Sequence, residues 1–148
     1  MLVEDLITQL EQPLEGFNLM VPKPKVLVTG SRNWWHYNVI KEAITNSGCT
    51  IVIHGGARGA DTMAGRAATE LGLEVRVYPA DWEKWGKADG TKRNQEMIDA
   101  EHVKDDPIEL CLAFPLPDSR GTVDMIRRCK RAGIETVIYA EDGSFTSG

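Results

Sequence analysis

Glycine, hydroxyl and basic side chains come together at residues 29–33, Thr-Gly-Ser-Arg-Asn, directly after an apolar run. Gly30 permits a tight turn where a strand would end. Ser31 and Arg32 then supply a hydroxyl and a planar guanidinium, which suit a phosphate or a carboxylate. We therefore predict an anion-binding loop here, although an ordinary turn with a surface arginine explains the same residues.

A second such loop is predicted at residues 54–61, His-Gly-Gly-Ala-Arg-Gly-Ala-Asp. Its glycines would let backbone N–H groups approach an anion at the start of a helix, where the helix dipole is positive. The residues expected on the anion are Gly55, Gly56, Arg58 and Gly59. Asp61 has two interpretations, as a cap of that helix or as an acceptor for a ribose hydroxyl.

A long connection follows the third predicted strand and ends at Asn94. Loops of this length are often binding loops. Its tryptophans, Trp82 and Trp85, would either stack on a base or cover the sheet edge or an interface. The helix dipole disfavours cations at the predicted start of the next helix, so we expect Lys92 and Arg93 there to neutralise phosphates, with Asn94 on the ribose or base.

Residues 115–125 follow the fourth predicted strand, and Gly121 and Thr122 open a helix there. Backbone N–H groups at this helix start, together with the hydroxyls of Ser119 and Thr122, would hold an anion. Ligands of open parallel sheets bind beyond the carboxyl ends of the strands where the winding direction reverses, here beside strands one and four. The loops are therefore expected to converge on one anionic guest.

Standard nucleotide motifs and metal sites find no support in the sequence. Neither GxGxxG nor GxxxxGK[ST] occurs. The three cysteines, Cys49, Cys111 and Cys129, lack metal-ligand spacing and sit in or beside apolar segments. We interpret them as reduced packing residues and predict no metal and no obligatory cofactor. The net charge of -5 argues against generic nucleic-acid binding but leaves room for a local basic pocket.

The elements that must position these loops are five apolar runs alternating with segments that have one apolar face. The runs are residues 26–28, 50–53, 74–78, 109–114 and 135–139. Near-continuous apolar strands separated by helices indicate a parallel sheet with helices on both faces. We therefore predict a single α/β Rossmann-like domain whose five-stranded parallel sheet has the order 3-2-1-4-5.

The chain of 148 residues is predicted to have three parts. Residues 1–24 form a short amphipathic helical arm and a linker, residues 25–140 form the domain, and residues 141–148 form a flexible tail. The apolar face of the arm would pack on its own domain or on a neighbour, so a homo-oligomer is one expectation. The sequence shows no membrane span or signal peptide pattern, so we expect a cytoplasmic protein without a membrane partner.

The ordered set of motifs resembles the YspA-type, cpYpsA-related branch of the SLOG superfamily over about residues 25–139. The matching segments are residues 26–32, 54–61, 79–82, 93–94, 113–115 and 121–125. The resemblance implies a Rossmann-like domain that binds a nucleotide or nucleotide-derived ligand at its glycine-rich loops. Small proteins of this branch occur in bacteria and their phages, so a phage origin and a location in the host cytoplasm are also expectations.

The same superfamily includes the LOG phosphoribohydrolases, which release a base from a nucleoside monophosphate and carry the signature PGGxGTxxE. Residues 117–125 here are Pro-Asp-Ser-Arg-Gly-Thr-Val-Asp-Met, so Met125 stands where the signature has glutamate. Asp124 is adjacent, but neighbouring helical residues point about 100° apart. The resemblance therefore implies ligand binding and leaves catalysis undecided, with Asp61 and Asp124 as the catalytic candidates.

Three functions are compatible with these residues. The leading hypothesis is the binding or sensing of a nucleotide or a phosphorylated nucleotide derivative. The second is N-glycosidic hydrolysis, with Asp61 or Asp124 stabilising an oxocarbenium-like transition state. The third is single-stranded DNA binding, because the DprA branch of the superfamily uses a related domain that way, and it would need Trp82 and Trp85 along a cationic groove. The sequence does not name the ligand.

Overall fold

The computed structural model describes residues 24–80, 89–117 and 119–147. Its strands are β1 (Lys25–Gly30), β2 (Ile51–His54), β3 (Glu74–Val77), β4 (Ile108–Phe114), β5 (Thr136–Tyr139) and β6 (Phe145–Ser147). Its helices are α1 (Tyr37–Ser47), α2 (Ala60–Glu70), α3 (Asp89–Glu101) and α4 (Arg120–Arg131). None of these helices is long and apolar enough to cross a membrane. Residues 1–23 of the predicted arm and linker (residues 1–24) lie outside the described residues, as do the tryptophans Trp82 and Trp85.

All six strands form one sheet in the order β3-β2-β1-β4-β5-β6. Every pairing from β3 to β5 is parallel. The Rossmann-like fold class and the strand order 3-2-1-4-5 are therefore confirmed. The strand β1 pairs with β2 on one side and with β4 on the other, so the winding direction reverses between β1 and β4. The carboxyl ends of these two strands are in register at Gly30 and Phe114.

Alternating residues of β1 enter different cores, because successive side chains on a strand point to opposite faces. Val26 and Val28 pack with the apolar residues of α1 and α2. Leu27 packs on the other face with Met97 of α3 and Met125 of α4. The central strands are thus covered by two helices on each side, which explains their nearly continuous apolar sequences. The cysteines Cys49, Cys111 and Cys129 are buried free thiols, as predicted.

The end of the chain differs from the predicted flexible tail. Phe145–Ser147 pairs antiparallel with β5, and the ring centroids of Tyr139 and Phe145 are 5.4 Å apart. The turn between the strands is closed by the Ala140 N–H, which donates to the Ser144 carbonyl oxygen at 2.8 Å. The edge of β5 offers unpaired backbone donors and acceptors, and this segment satisfies them although its composition is hydrophilic. The sheet accordingly has six strands where five were predicted.

A buried ionic cluster around Glu101, at the carboxyl end of α3, joins this helix to the start of β1 and to β3. Lys25 Nζ lies 3.2 Å from Glu101 Oε1 and 2.9 Å from Asp106 Oδ2. Glu101 also accepts from Arg76 Nη1 at 2.7 Å and from the Tyr78 hydroxyl at 2.6 Å. Burial alone would raise the pKa of Glu101, but the hydrogen bonds of Tyr78, Lys25 and Arg76 hold it below its ordinary value. This cluster fixes the carboxyl end of α3 against β1 and β3.

Candidate functional site

The turn after β1 requires glycine at its first residue. A Cβ atom on Gly30 would lie 2.5 Å from the Cβ of Ala60 and 2.8 Å from the carbonyl oxygen of Phe114. The next residue, Ser31, donates its backbone N–H to that Phe114 oxygen at 2.9 Å and accepts the Ala60 N–H at 3.0 Å. The turn is therefore held between β4 and the start of α2, and it carries Ser31 and Arg32 to the carboxyl edge of the sheet.

A cleft of about 630 Å³ opens at this edge, between the loops that follow β1, β2 and β4 and the first turn of α3. The predicted ligand residues on its wall are Gly30, Ser31, Arg32, Arg58, Asp61, Arg93, Asn94, Ser119, Gly121 and Thr122. The other described wall residues are Thr29, Asn33, Ala57, Thr91, Leu116, Pro117, Arg120 and Glu141. The structure thus brings residues from five separate segments of the chain around one space.

Four predicted ligand residues do not form part of this wall. They are Gly55, Gly56, Gly59 and Lys92. The Gly55 N–H donates to Asp61 Oδ2 at 3.2 Å, and its carbonyl accepts from Arg93 Nη1 at 2.6 Å. The Gly56 N–H donates to Nδ1 of His54 at 3.0 Å. These two amides therefore bind the chain's own side chains, and a Cβ on Gly55 would collide with the Arg93 guanidinium.

Asp61 organises the loop that precedes α2. Its Oδ2 accepts the backbone N–H groups of Gly55 at 3.2 Å and Ala57 at 3.3 Å. The N-cap position of α2 is occupied by Gly59, so Asp61 is not the helix cap that one interpretation of the sequence predicted. Burial raises the pKa of Asp61 to about 6, against the opposing effects of the Ala57 amide and the Arg93 charge. The cleft therefore contains a carboxyl group that titrates near pH 6.

A chain of hydrogen bonds runs behind the cleft from α3 to α4. Arg93 Nε donates to Oδ1 of Asn94 at 3.0 Å. The Asn94 Nδ2 group donates to Asp124 Oδ2 at 3.0 Å and to the Gly121 carbonyl at 3.3 Å. Asp124 also accepts from Arg128 Nε at 2.8 Å. Asn94 is thus committed to positioning the start of α4, and Asp124, one of the two catalytic candidates, faces α3 and does not line the cleft.

The start of α4 presents hydrogen-bond donors to the same cleft. The Val123 N–H makes the first bond of the helix, to the Ser119 carbonyl at 3.0 Å, so the amides of residues 120–122 precede the helical ladder. The hydroxyls of Ser31 and Ser119 each accept one backbone N–H, at 3.0 and 2.9 Å, and each has its own hydrogen to donate. The helix dipole adds positive potential at this point. The arrangement suits an anion.

The residues that could support hydrolysis are placed less favourably. Met125, at the position of the signature glutamate, is buried in the apolar core beside Leu27 and Met97. His54 is also buried, and burial together with the charge of Arg93 lowers its pKa, which disfavours its protonated form. Within residues 24–80, 89–117 and 119–147, no group of three or more His, Cys, Asp or Glu could hold a metal ion.

Two charged wall residues, Arg120 and Glu141, were not identified from the sequence. Arg120 stands between two predicted ligand residues, and its place in the first turn of α4 was the signal that pointed to it. Glu141 belongs to the segment predicted as a flexible tail. It comes shortly after the end of β5, however, and the rule that ligands bind beyond strand ends applies there too.

The fold and the cleft together define a Rossmann-like domain with an anion-binding cleft at its topological switch point. The model of the YspA, cpYpsA-related SLOG family matches residues 24–85. The Gene 61 protein of Mycobacterium phage D29 is 37% identical over an alignment of 127 residues, and the alignment covers 79% of this chain and 97% of that relative. The chain therefore belongs to the YspA, cpYpsA-related SLOG family and has a relative in a phage. Membership of this family supports a nucleotide-related binding role in general terms.

The X-ray structure of DNA processing protein A (DprA) from Streptococcus pneumoniae has a similar fold. The TM-score is 0.62 at 17% sequence identity, and the likeness covers 80% of this chain. The chain spans about half the length of that structure, with 50% of the DprA chain covered. At this level of identity the similarity concerns the Rossmann-like architecture.

Proposed function

We propose that the cleft binds a nucleotide or a nucleotide-derived phosphorylated ligand. The observation that carries this proposal is the presence of four arginines around one cleft in a protein whose net charge is -5. These arginines are Arg32, Arg58, Arg93 and Arg120. Guanidinium groups bind phosphate oxygens through charge-assisted, often bidentate hydrogen bonds. The composition allowed a local basic pocket in an acidic protein, and we propose that this cleft is that pocket.

The donors at the start of α4 support the same proposal. The amides of residues 120–122 and the hydroxyls of Ser31, Ser119 and Thr122 lie around the side of the cleft formed by β1 and α4. A phosphate there would gain both hydrogen bonds and the favourable end of the helix dipole. A volume of about 630 Å³ leaves space for more than the phosphate, so a nucleoside part fits the remaining cleft.

Binding is preferred over N-glycosidic hydrolysis as the proposed function. Asp124 is engaged by Asn94 and Arg128, and Met125 lies in the core. Asp61 is the catalytic candidate that lines the cleft, and both loop amides bind its Oδ2 atom. We propose that Asp61 shapes the loop after β2 and contributes to the charge of the cleft.

Isothermal titration calorimetry with the full chain tests the proposal. The probes are ribose 5-phosphate, AMP, GMP and ADP-ribose, each titrated to millimolar concentration. The variant Arg120→Ala should weaken binding by about tenfold or more, because it removes a charge-assisted contact to phosphate. Arg131→Ala is the matched control, since Arg131 ends the same helix about 16 Å away and does not line the cleft.

The proposal fails if none of these phosphorylated probes binds to the folded wild-type chain. It also fails if Arg120→Ala and Arg131→Ala bind the probes as tightly as the wild type does. Chromatography of the AMP and GMP mixtures measures free base at the same time. Release of base that disappears in Asp61→Asn would replace binding by hydrolysis as the function of the cleft.

A further inference from the structure

A second recess, of about 540 Å³, adjoins the cleft. Its wall is formed by the residues that follow β4 and β5, namely Pro115, Leu116, Pro117, Ala140, Glu141 and Asp142. Leu116, Pro117 and Glu141 line the cleft as well, so the two spaces share one wall. A ligand seated in the cleft can therefore extend into the recess.

The two spaces differ in charge. Four arginines line the cleft, whereas the charged side chains of the recess are the carboxylates of Glu141 and Asp142. The remaining walls of the recess are proline, leucine and alanine, which suit a flat apolar ring. A matching ligand has an anionic group at one end and a ring with hydrogen-bond donors at the other.

Glu141 is held in place from two sides. Trp35 Nε1 donates to Glu141 Oε2 at 3.4 Å. The Glu141 carbonyl oxygen lies 2.9 Å from Nδ1 of His36, and because a carbonyl only accepts, Nδ1 carries the hydrogen. The Trp35 and His36 rings stack with centroids 4.8 Å apart and planes 6° apart. The Glu141 carboxylate is thus presented at the boundary between recess and cleft, with acceptor sites beyond the one that Trp35 uses.

We infer that the recess binds the base of the ligand, that the base is guanine, and that Glu141 selects it; this inference rests on the proposed function. The Watson–Crick edge of guanine carries two adjacent donor groups, N1–H and the exocyclic amine, which match the two oxygens of one carboxylate. The corresponding edges of adenine, cytosine and uracil place an acceptor next to a donor, and a carboxylate repels that acceptor. Hypoxanthine, the base of IMP, keeps N1–H but lacks the exocyclic amine. The comparison of GMP with IMP therefore measures the contribution of the hydrogen bond that the amine donates.

Calorimetric titration of GMP, IMP, AMP and ribose 5-phosphate into the full chain tests this inference. The wild type should bind GMP about tenfold or more tighter than IMP and AMP, because a site built for a donor rejects an analogue that lacks it. Glu141→Gln should bring GMP and IMP to within about twofold of each other, and it should not weaken the binding of ribose 5-phosphate, because it removes a negative charge from the cleft wall. Glu135→Gln, an exposed glutamate just before β5, should keep the wild-type preference.

Two results on the nucleotides would overturn the inference and leave the proposed function standing. One is binding of GMP and IMP with equal affinity by the wild type, and the other is an unchanged preference in Glu141→Gln. If neither ribose 5-phosphate nor any nucleotide binds, the proposed function fails together with the inference. A loss of ribose 5-phosphate binding in Glu141→Gln would also contradict it, since Glu141 would then contribute to the phosphate site or to folding and not to base selection.

Discussion

The carboxamide of Asn94 donates to the carboxylate of Asp124, with Nδ2 and Oδ2 3.0 Å apart. This bond joins α3 to α4 directly behind the cleft. Because Asn94 Oδ1 accepts from Arg93 and its Nδ2 also reaches the Gly121 carbonyl, one buried amide orients both a cleft arginine and the helix start. The positions of the anion-binding groups therefore depend on a residue whose own polar atoms are bound within the protein.

Asn94→Ala tests this dependence. The change removes the acceptor for Arg93 and the donor for Asp124, so we expect a loss of about 2 kcal/mol in the free energy of unfolding. Binding of ribose 5-phosphate should weaken several-fold, because Arg93 and the start of α4 are no longer held together. Urea denaturation and calorimetry measure the two effects.

Asn38→Ala, at an exposed position of α1, is the control and should change the free energy of unfolding by no more than about 0.5 kcal/mol. Wild-type values for Asn94→Ala in both measurements would disprove the dependence.

Glu101→Gln should destabilise the fold without altering the cleft. Glu101 is buried against Lys25, Arg76 and Tyr78, and removing its charge leaves the Lys25 ammonium without one of its carboxylates. We expect the free energy of unfolding to fall by about 3 kcal/mol. Glu96→Gln, at an exposed position of the same helix, should differ from the wild type by no more than about 0.5 kcal/mol.

Urea denaturation at neutral pH makes this comparison. Ligand affinity measured where the Glu101→Gln variant is still folded should equal that of the wild type, since none of the residues of the ionic cluster lines the cleft. Equal stability of the two glutamine variants would show that the cluster contributes nothing to folding.

Gly30→Ala should disturb packing at the edge of the cleft. The new Cβ would lie 2.5 Å from the Ala60 Cβ and 2.8 Å from a backbone oxygen of Phe114, and neither atom is the end of a flexible side chain. We expect a loss of about 1–3 kcal/mol. Gly121→Ala is the matched control, because among the described residues a Cβ there meets no heavy atom within 4 Å apart from its own helix backbone and chain neighbours, and alanine favours helix. Thermal unfolding of the two variants should therefore differ clearly, and equal melting temperatures would contradict the close contact at Gly30.

The order of the sheet was predictable because each strand carries its own signal, an apolar run bounded by turn residues. The location of the site was predictable for a related reason, since the carboxyl ends of parallel strands meet at one edge. The orientation of individual groups was not. Gly55 was expected to face an anion, but its amide binds Asp61 and its carbonyl binds Arg93. The Arg93 contact joins residues 38 positions apart, and the Asp61 contact depends on how the loop folds back on itself, so local composition predicts neither.

The strand β6 was missed for a similar reason. Its residues have the composition of a tail, and its pairing depends on the exposed edge of β5. Glu141 was overlooked together with it, because a segment predicted to be flexible offers no fixed position for a side chain.

The pKa of Asp61 makes the stability of the protein depend on pH. This pKa is about 6 in the folded state against an ordinary value of 3.8, so between pH 4 and pH 6 the folded chain holds a proton that the unfolded chain has lost. The contribution of Asp61 to stability therefore falls as pH rises through that window, by up to about 3 kcal/mol, and levels off above pH 6. In Asp61→Asn this contribution is absent, so the difference in the free energy of unfolding between wild type and variant should change over the same window. Urea denaturation at half-unit steps from pH 4 to pH 7.5 measures it, with the exposed Asp99→Asn variant retaining the wild-type profile. A difference between wild type and Asp61→Asn that stays constant with pH would mean that the carboxylate is not buried beside the cleft in solution.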